Sequence, residues 1–301
     1  MPIMPMMPPQ PVAIYSGFDY LAVDDARARV YAAHTGSGTL LVVNATTGRE
    51  LGQVGTGTPH GVAVDPRTGH VYTGDGVDRT MSEVDPVALK VVNTVSVPGN
   101  VDAVAYDADL HRIYGDEDDG TRIFVIDTTT FKQVGTVQLP GHKPEYLAID
   151  PATHKIYQNI ANLNEYVVID SSTLKIVQTV KTPELTNNHP MQYDAALKHL
   201  YVGGKNGVLS TYDLSGAKLA QASFAKGVDQ CSLDAQRHDL YCAGDGTITA
   251  FHDGGSGMTV VATRSVNSDV HTLAADQKTG SVWTAWAAKA GDFIQGFVMR
   301  L

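Results

Sequence analysis

Seven aromatic residues recur along this chain at intervals of 40 to 44 residues: Tyr31, Tyr72, Tyr114, Tyr157, Tyr201, Tyr241 and Trp283. Each stands seven residues after an aspartate (Asp24, Asp65, Asp107, Asp150, Asp194, Asp234 and Asp276) that closes an apolar run. The second unit shows the content of one period. GVAVD, HVYTGD, TMSEVD and VVNTVSV are four β-rich runs separated by Asp, Pro, Gly and Lys turns. Sequence units of this length, with several short strands and no helical periodicity, are the blades of a β-propeller.

Seven units fill the chain, which predicts an all-β fold: one seven-bladed β-propeller of four-stranded blades. The domain is expected over residues 11–301, with residues 1–10 (MPIMPMMPPQ) as a disordered lead-in. The seventh unit stops at GFVMRL, on its third strand. VAIYS (Val12 to Ser16) precedes the first unit as TVSV precedes the third. The N-terminal strand is therefore expected to complete the last blade and leave no open edge.

Apolar residues make up 43% of the chain, enough to fill the spaces between blades. A net charge of -10 lacks the basic footprint that nucleic acid requires. No run approaches the length of a membrane span, and MPIMPMMPPQ does not read as a signal peptide. The expected partner is a small molecule, not nucleic acid or membrane, and the expected state is a monomer.

Five residues before each repeat aspartate stand Asp19, His60, Asp102, Glu145, His189, Asp229 and His271. This column holds only histidine and acid. In a propeller the residue just before each innermost strand faces the axis, so the seven should converge on one funnel. Each histidine is then flanked on both sides by a carboxylate-bearing blade. Imidazoles with carboxylates beside them suit a metal centre, because the carboxylate accepts the second ring N–H and fixes the tautomer. The expectation is a divalent transition metal (Zn, Fe, Cu, Mn or Ni) on His60, His189 and His271. Asp19 and Asp229 would orient these rings, and Glu145 or Asp102 would move protons. A metal-free acid/base cluster and a solvated channel remain as other readings of the same column.

The units VYTGD, LYVGG and VIDTTTFKQVGTV resemble those of the YVTN-repeat (YncE-like) seven-bladed propellers over essentially the whole chain. That family follows the tyrosine-bearing strand with V-I-D-x-x-T-x-K, present here at Val125 to Lys132 and Val168 to Lys175. Blades five and six depart from it, with TYDLSGAK and AFHDGGSG. The resemblance implies the fold and a range of functions: periplasmic binding proteins, lactonase-like enzymes, lyases and electron-transfer subunits. Fold alone does not choose among these. One reading is a metal-dependent enzyme that hydrolyses a lactone or ester, or acts as a lyase, on a small organic substrate. The others are a non-catalytic binding propeller and an Fe- or Cu-dependent oxidoreductase.

Loops on the same face add His34, Asp75, Arg79 and Trp286 as candidates for substrate binding: His34 and Asp75 at the funnel border, Arg79 as an anion anchor, Trp286 as a stacking surface. The DEDDG run (Asp116 to Gly120) reads as a solvated acidic turn, since it lacks the calcium-loop pattern. His70, His111, His154, His199 and His238 recur in the turn at the opposite face and read as structural. No G-x-S-x-G elbow, P-loop or CxxC is present, so nucleophilic Ser or Cys chemistry has no support. If Leu233 pairs with Leu240, Cys231 falls opposite Cys242, as a bridge or as two buried thiols. A bridge would imply a periplasmic or secreted protein.

Overall fold

The computed structural model describes residues 2–12 and 17–299. Seven antiparallel sheets succeed one another along the chain, one per sequence unit. Their innermost strands are Leu21–Asp24, Pro59–Val64, Val101–Asp107, Pro144–Ile149, Asn188–Asp194, Cys231–Asp234 and Leu273–Asp276. Each pairs with the next strand in sequence, and so outward through the blade. This is a seven-bladed β-propeller. The repeat aromatics lie on the second strand of each blade and are fully or almost fully buried. They pack between neighbouring blades, as where Tyr72 and Met81 of blade two meet Val101, Ile113 and Phe124 of blade three.

The N-terminus closes the last blade, as expected, with Val12 of VAIYS in the pairing and residues upstream of it joining in. Gln10–Val12 pairs with Asp292–Ile294, and Ile3–Pro5 pairs with Phe297–Met299, both on the outer strand Gly291–Met299. Residues 3–12 therefore belong to the propeller and are not a disordered lead-in. Ala13 to Ser16 lie outside the described residues. The physical reason is the nine-residue edge that Gly291–Met299 would otherwise expose, together with two apolar anchors. Ile3 packs with Tyr241 and Phe297, and Val12 packs with Trp283 and Ile294. Pro5 and Pro11 are tolerated because an outermost strand needs hydrogen bonds on one side only.

On the face of the turns, side chains tie each blade to the next. Arg27 donates to Arg67 O (3.2 Å), Arg67 to Ala108 O (2.6 Å) and Arg237 to Gln277 O (2.8 Å). His154 and His238 contact the repeat aspartates of the preceding blades, Asp107 (2.7 Å) and Asp194 (2.6 Å). These two turn histidines thus join blades to one another, whereas His70 holds Glu83 of its own blade (2.6 Å). In blade six Leu233 pairs with Leu240 and Cys231 with Cys242; the two cysteines form a disulfide, with Cα atoms 4.2 Å apart. Among the described residues no helix is long and apolar enough to cross a membrane.

Candidate functional site

The strand geometry explains why the His/acid column turns toward the axis. In blades two to five the pairing of the innermost strand breaks register at that column: between Pro59 and Val62, Val101 and Val104, Glu145 and Leu147, and Asn188 and Met191. A bulge inserts an unpaired residue and re-aims its side chain. Tyr146, next to Glu145, reaches φ +54°, a left-handed conformation that costs a bulky residue energy and is found where a site demands it. In blades one, six and seven the column residue lies two positions before the strand begins. The backbone at or next to the column then bonds across blades: Tyr20 N to His60 O (3.3 Å) and Asp229 N to His271 O (3.2 Å).

The ring divides into two halves. On blades one to three, His60 Nδ1 lies 2.6 Å from Asp19 Oδ2 and 3.7 Å from Asp102 Oδ1. On blades four to seven, His189 Nδ1 is 3.1 Å from Glu145 Oε2 and its Nε2 is 3.1 Å from Asp229 Oδ1. Asp229 also pairs with Lys205 and lies 3.5 Å from His271 Nε2. Below the ring Tyr20 and Tyr146 meet edge to face, 5.5 Å between centroids, and Gln192 donates to the Tyr146 hydroxyl (2.7 Å). A cavity of about 220 Å³ runs along the axis here, bordered by innermost-strand residues of all seven blades.

The structure brings together a ligand set other than the three expected histidines. His60 and His189 turn to the carboxylates beside them, and His271 places Nδ1 on the Asp269 carbonyl (2.8 Å). Among the described residues the group whose ligand atoms all lie within 4.8 Å of one another is Asp19, His60 and Asp102. Asp19 and Asp102, expected to orient and to move protons, are therefore candidate ligands. His189 and His271 belong to the other half. The donors fit a divalent cation: two carboxylates and one imidazole nitrogen, with Nδ1 as the nitrogen facing both acids.

Charge separates the halves further. Burial, then the charges of Asp19, Asp116 and Glu145, push the Asp102 carboxyl well above the ordinary range. Burial raises Glu145 to about 9, with Asp116 adding to the effect, and raises Asp116 to about 8 against bonds from Gln158 and Ala103. Burial works against the His60 cation, yet the bond and charge of Asp19 hold its pKa above the usual value. On the other side burial keeps His189 below its ordinary value. Asp229 lies well below the carboxylate range; burial opposes this, and His189, Lys205 and His271 outweigh it. Lys205 supplies a permanent cation to one half. No lysine or arginine pairs with Asp19 or Asp102 among the ion pairs of the described residues.

Two residues at the site escaped the sequence reading. Asp116 is not part of a solvated turn: it is fully buried and accepts from Ala103 N (2.8 Å) and Gln158 (2.9 Å). Its place two residues beyond buried Tyr114, on the same side of the strand, was the available signal. Lys205 carried none, since it lies on the connection after the second strand of blade five.

The four loop candidates go elsewhere. His34 is 0% exposed, stacks on Phe18 and holds Asp292 at 2.6 Å through Nε2, so its ring is taken up inside the protein. Asp75 is buried among the hydroxyls of Thr80 (3.1 Å) and Ser82 (3.2 Å), and burial raises it to about 6. Arg79 donates to Asn100 (3.2 Å). Trp286 stacks on Phe293 within the apolar core of blades six and seven and offers no open face to a substrate.

No family model and no curated protein sequence matches the chain. Among solved structures it is similar to hydrazine synthase of Kuenenia stuttgartiensis, with a TM-score of 0.82 at 14% identity over 95% of this chain and 97% of that one. At that identity the likeness shows the fold alone.

Proposed function

We propose that this propeller is a metal-dependent enzyme acting on a small organic substrate in the axial funnel, by hydrolysis of a lactone or ester or by lyase-type elimination. One observation carries the reading: Asp19, His60 and Asp102 present three ligand atoms within 4.8 Å, and no lysine or arginine pairs with either acid among the ion pairs of the described residues. Two half-buried carboxylates converging on one imidazole repel each other, and a divalent ion removes that cost. The mixed oxygen and nitrogen donors suit a divalent ion such as Mn²⁺, Zn²⁺ or Fe²⁺.

A bound divalent ion supplies Lewis acidity toward a carbonyl and lowers the pKa of water. Asp19 and Asp102 neutralise the ion, and His60 holds it through Nδ1. Glu145 is protonated near neutrality, since burial raises it to about 9, and is the acid that faces this half. Tyr20 and Tyr146 confine the substrate to the funnel mouth. The V-I-D-x-x-T-x-K turns support a place among the YVTN-repeat propellers, and the buried disulfide supports a periplasmic or secreted setting. The net charge of -10 supports a partner other than nucleic acid, and we take the working state to be a monomer.

Calorimetric titration of Mn²⁺ and Zn²⁺ into chelator-treated protein tests the reading. One equivalent should bind. Asp19→Asn, His60→Ala and Asp102→Asn should each weaken it by more than the roughly 10- to 100-fold that loss of an orienting partner costs. His189→Ala and His271→Ala should change it little. Absence of binding in the wild type would leave a non-catalytic binding propeller; loss in all three histidine variants would restore the three-histidine centre.

A further inference from the structure

We infer that Glu145, His189 and Asp229 form a proton relay across blades four, five and six, in which His189 is the carrier, Asp229 its orienting partner and Lys205 the anchor of Asp229. The role rests on the enzymatic reading above and deepens it by assigning the half of the ring that does not hold the metal.

The geometry is a run of short contacts. Glu145 Oε2 lies 3.1 Å from His189 Nδ1, and Asp229 Oδ1 lies 3.1 Å from His189 Nε2. One imidazole thus bridges two carboxyl groups through opposite nitrogens, which is why it cannot also serve a metal shared with His60. Asp229 is fixed from the far side by Lys205 and faces His271 at 3.5 Å. The bulge at Glu145 and the left-handed Tyr146 beside it aim the first member.

The protonation states these surroundings favour are mutually consistent. Burial keeps His189 neutral near pH 7, and burial with the Asp116 charge keeps Glu145 protonated. Despite its burial, Asp229 stays ionised beside His189, Lys205 and His271. A neutral imidazole donates through one nitrogen and accepts at the other. Next to ionised Asp229 the Nε2–H tautomer is favoured, and Nδ1 is left to accept from the Glu145 acid. The groups facing the relay are thus Asp116, Asp118, Asp229 and Lys205 around Glu145, and Glu145, Asp229, Lys205 and Asp19 around His189.

The step balances without another reagent. A substrate O–H, N–H or acidic C–H loses its proton to the Glu145 carboxyl group as the proton already there passes to His189 Nδ1. The bonding electron pair stays on the substrate as an anion, and His189 becomes an imidazolium beside the Asp229 carboxylate. The reverse transfer delivers a proton to the leaving group. Groups pushed toward opposite protonation states at short range are suited to such exchange.

Ring-¹⁵N NMR of histidine-labelled full-length protein in chelator tests the assignment. Near pH 7 the His189 signals should show an unprotonated Nδ1 and a protonated Nε2, with a titration midpoint below that of an ordinary imidazole. Asp229→Asn should shift the ring away from that tautomer, whereas Glu145→Gln, which still offers a donor to Nδ1, should preserve it. A protonated Nδ1 or a cationic His189 in the wild type at pH 7 overturns the relay, and that measurement needs no variant to fold. Asp102→Asn separates the two proposals: it should weaken cation binding as stated above and leave the His189 pattern unchanged.

Discussion

Gly76 lies against the His60 ring so closely that a Cβ at residue 76 would stand 2.8 Å from His60 Nε2 and 2.9 Å from Cδ2. The ring has little room to yield, because Nδ1 is held on Asp19 at 2.6 Å. Gly76→Ala should therefore rotate the imidazole off the Asp19–Asp102 pair without removing any ligand. The expected result is a cation affinity lower by at least tenfold, by analogy with loss of an orienting partner, roughly 10- to 100-fold. Calorimetry on the variant checks this; unchanged affinity would show that His60 Nδ1 is not a ligand.

The funnel acids set a pH dependence of stability whose sign is fixed by their direction of shift. Between about pH 6.5, the ordinary imidazole value, and about 9, Glu145 (raised to about 9), Asp116 (to about 8), Asp102 and His60 hold more protons folded than unfolded. Stability must then fall as pH rises through that window. His189 and Asp229 act oppositely, but their contributions are complete below it. In chelator the Tm should decline from pH 6.5 to 9, and Mn²⁺ or Zn²⁺ should flatten the decline by stabilising the ionised acids. A Tm that rises across this range without metal would contradict the burial of these groups.

The fold was legible because a propeller repeats its turn chemistry and its inter-blade aromatics, and both leave periodic marks at Asp24 through Asp276 and Tyr31 through Trp283. The funnel ring was legible for the same reason, as one register position in every blade. What the period does not contain is which way each ring residue turns once it arrives there. His189 chooses Glu145 and Asp229 over the axis because two acids lie 3.1 Å away on either side. His60 has Asp19 and Asp102 as its neighbours, without a lysine pairing with either acid. Such choices depend on distances between blades and on Lys205, which is not at the repeated position. Asp116 was hidden differently: its acidic neighbours resemble a solvated turn, whereas its own strand position is internal. The loop candidates misled because His34 and Trp286, beyond the repeat aromatics, still lie on strands buried on both faces.

The N-terminal closure makes the sharpest demand on stability. Ile3 and Val12 are anchors on either side of a short break, and their backbone pairs Phe297–Met299 and Asp292–Ile294 on the last blade. Burying each such side chain contributes about 1.5–3 kcal/mol. Deleting residues 2–12 loses both and uncovers a sheet edge nine residues long. At about 2–4 °C per kcal/mol for a large domain, the Tm should fall by roughly 6 °C or more, with a rise in concentration-dependent association through the open edge. Ile3→Asp, which keeps the chain but places a charge beside Tyr241 and Phe297, should reproduce part of the loss. Scanning calorimetry and light scattering read both effects. A truncated protein that melts where the full chain does would mean that the ring closes through its other blades, and that these two strands only decorate its edge.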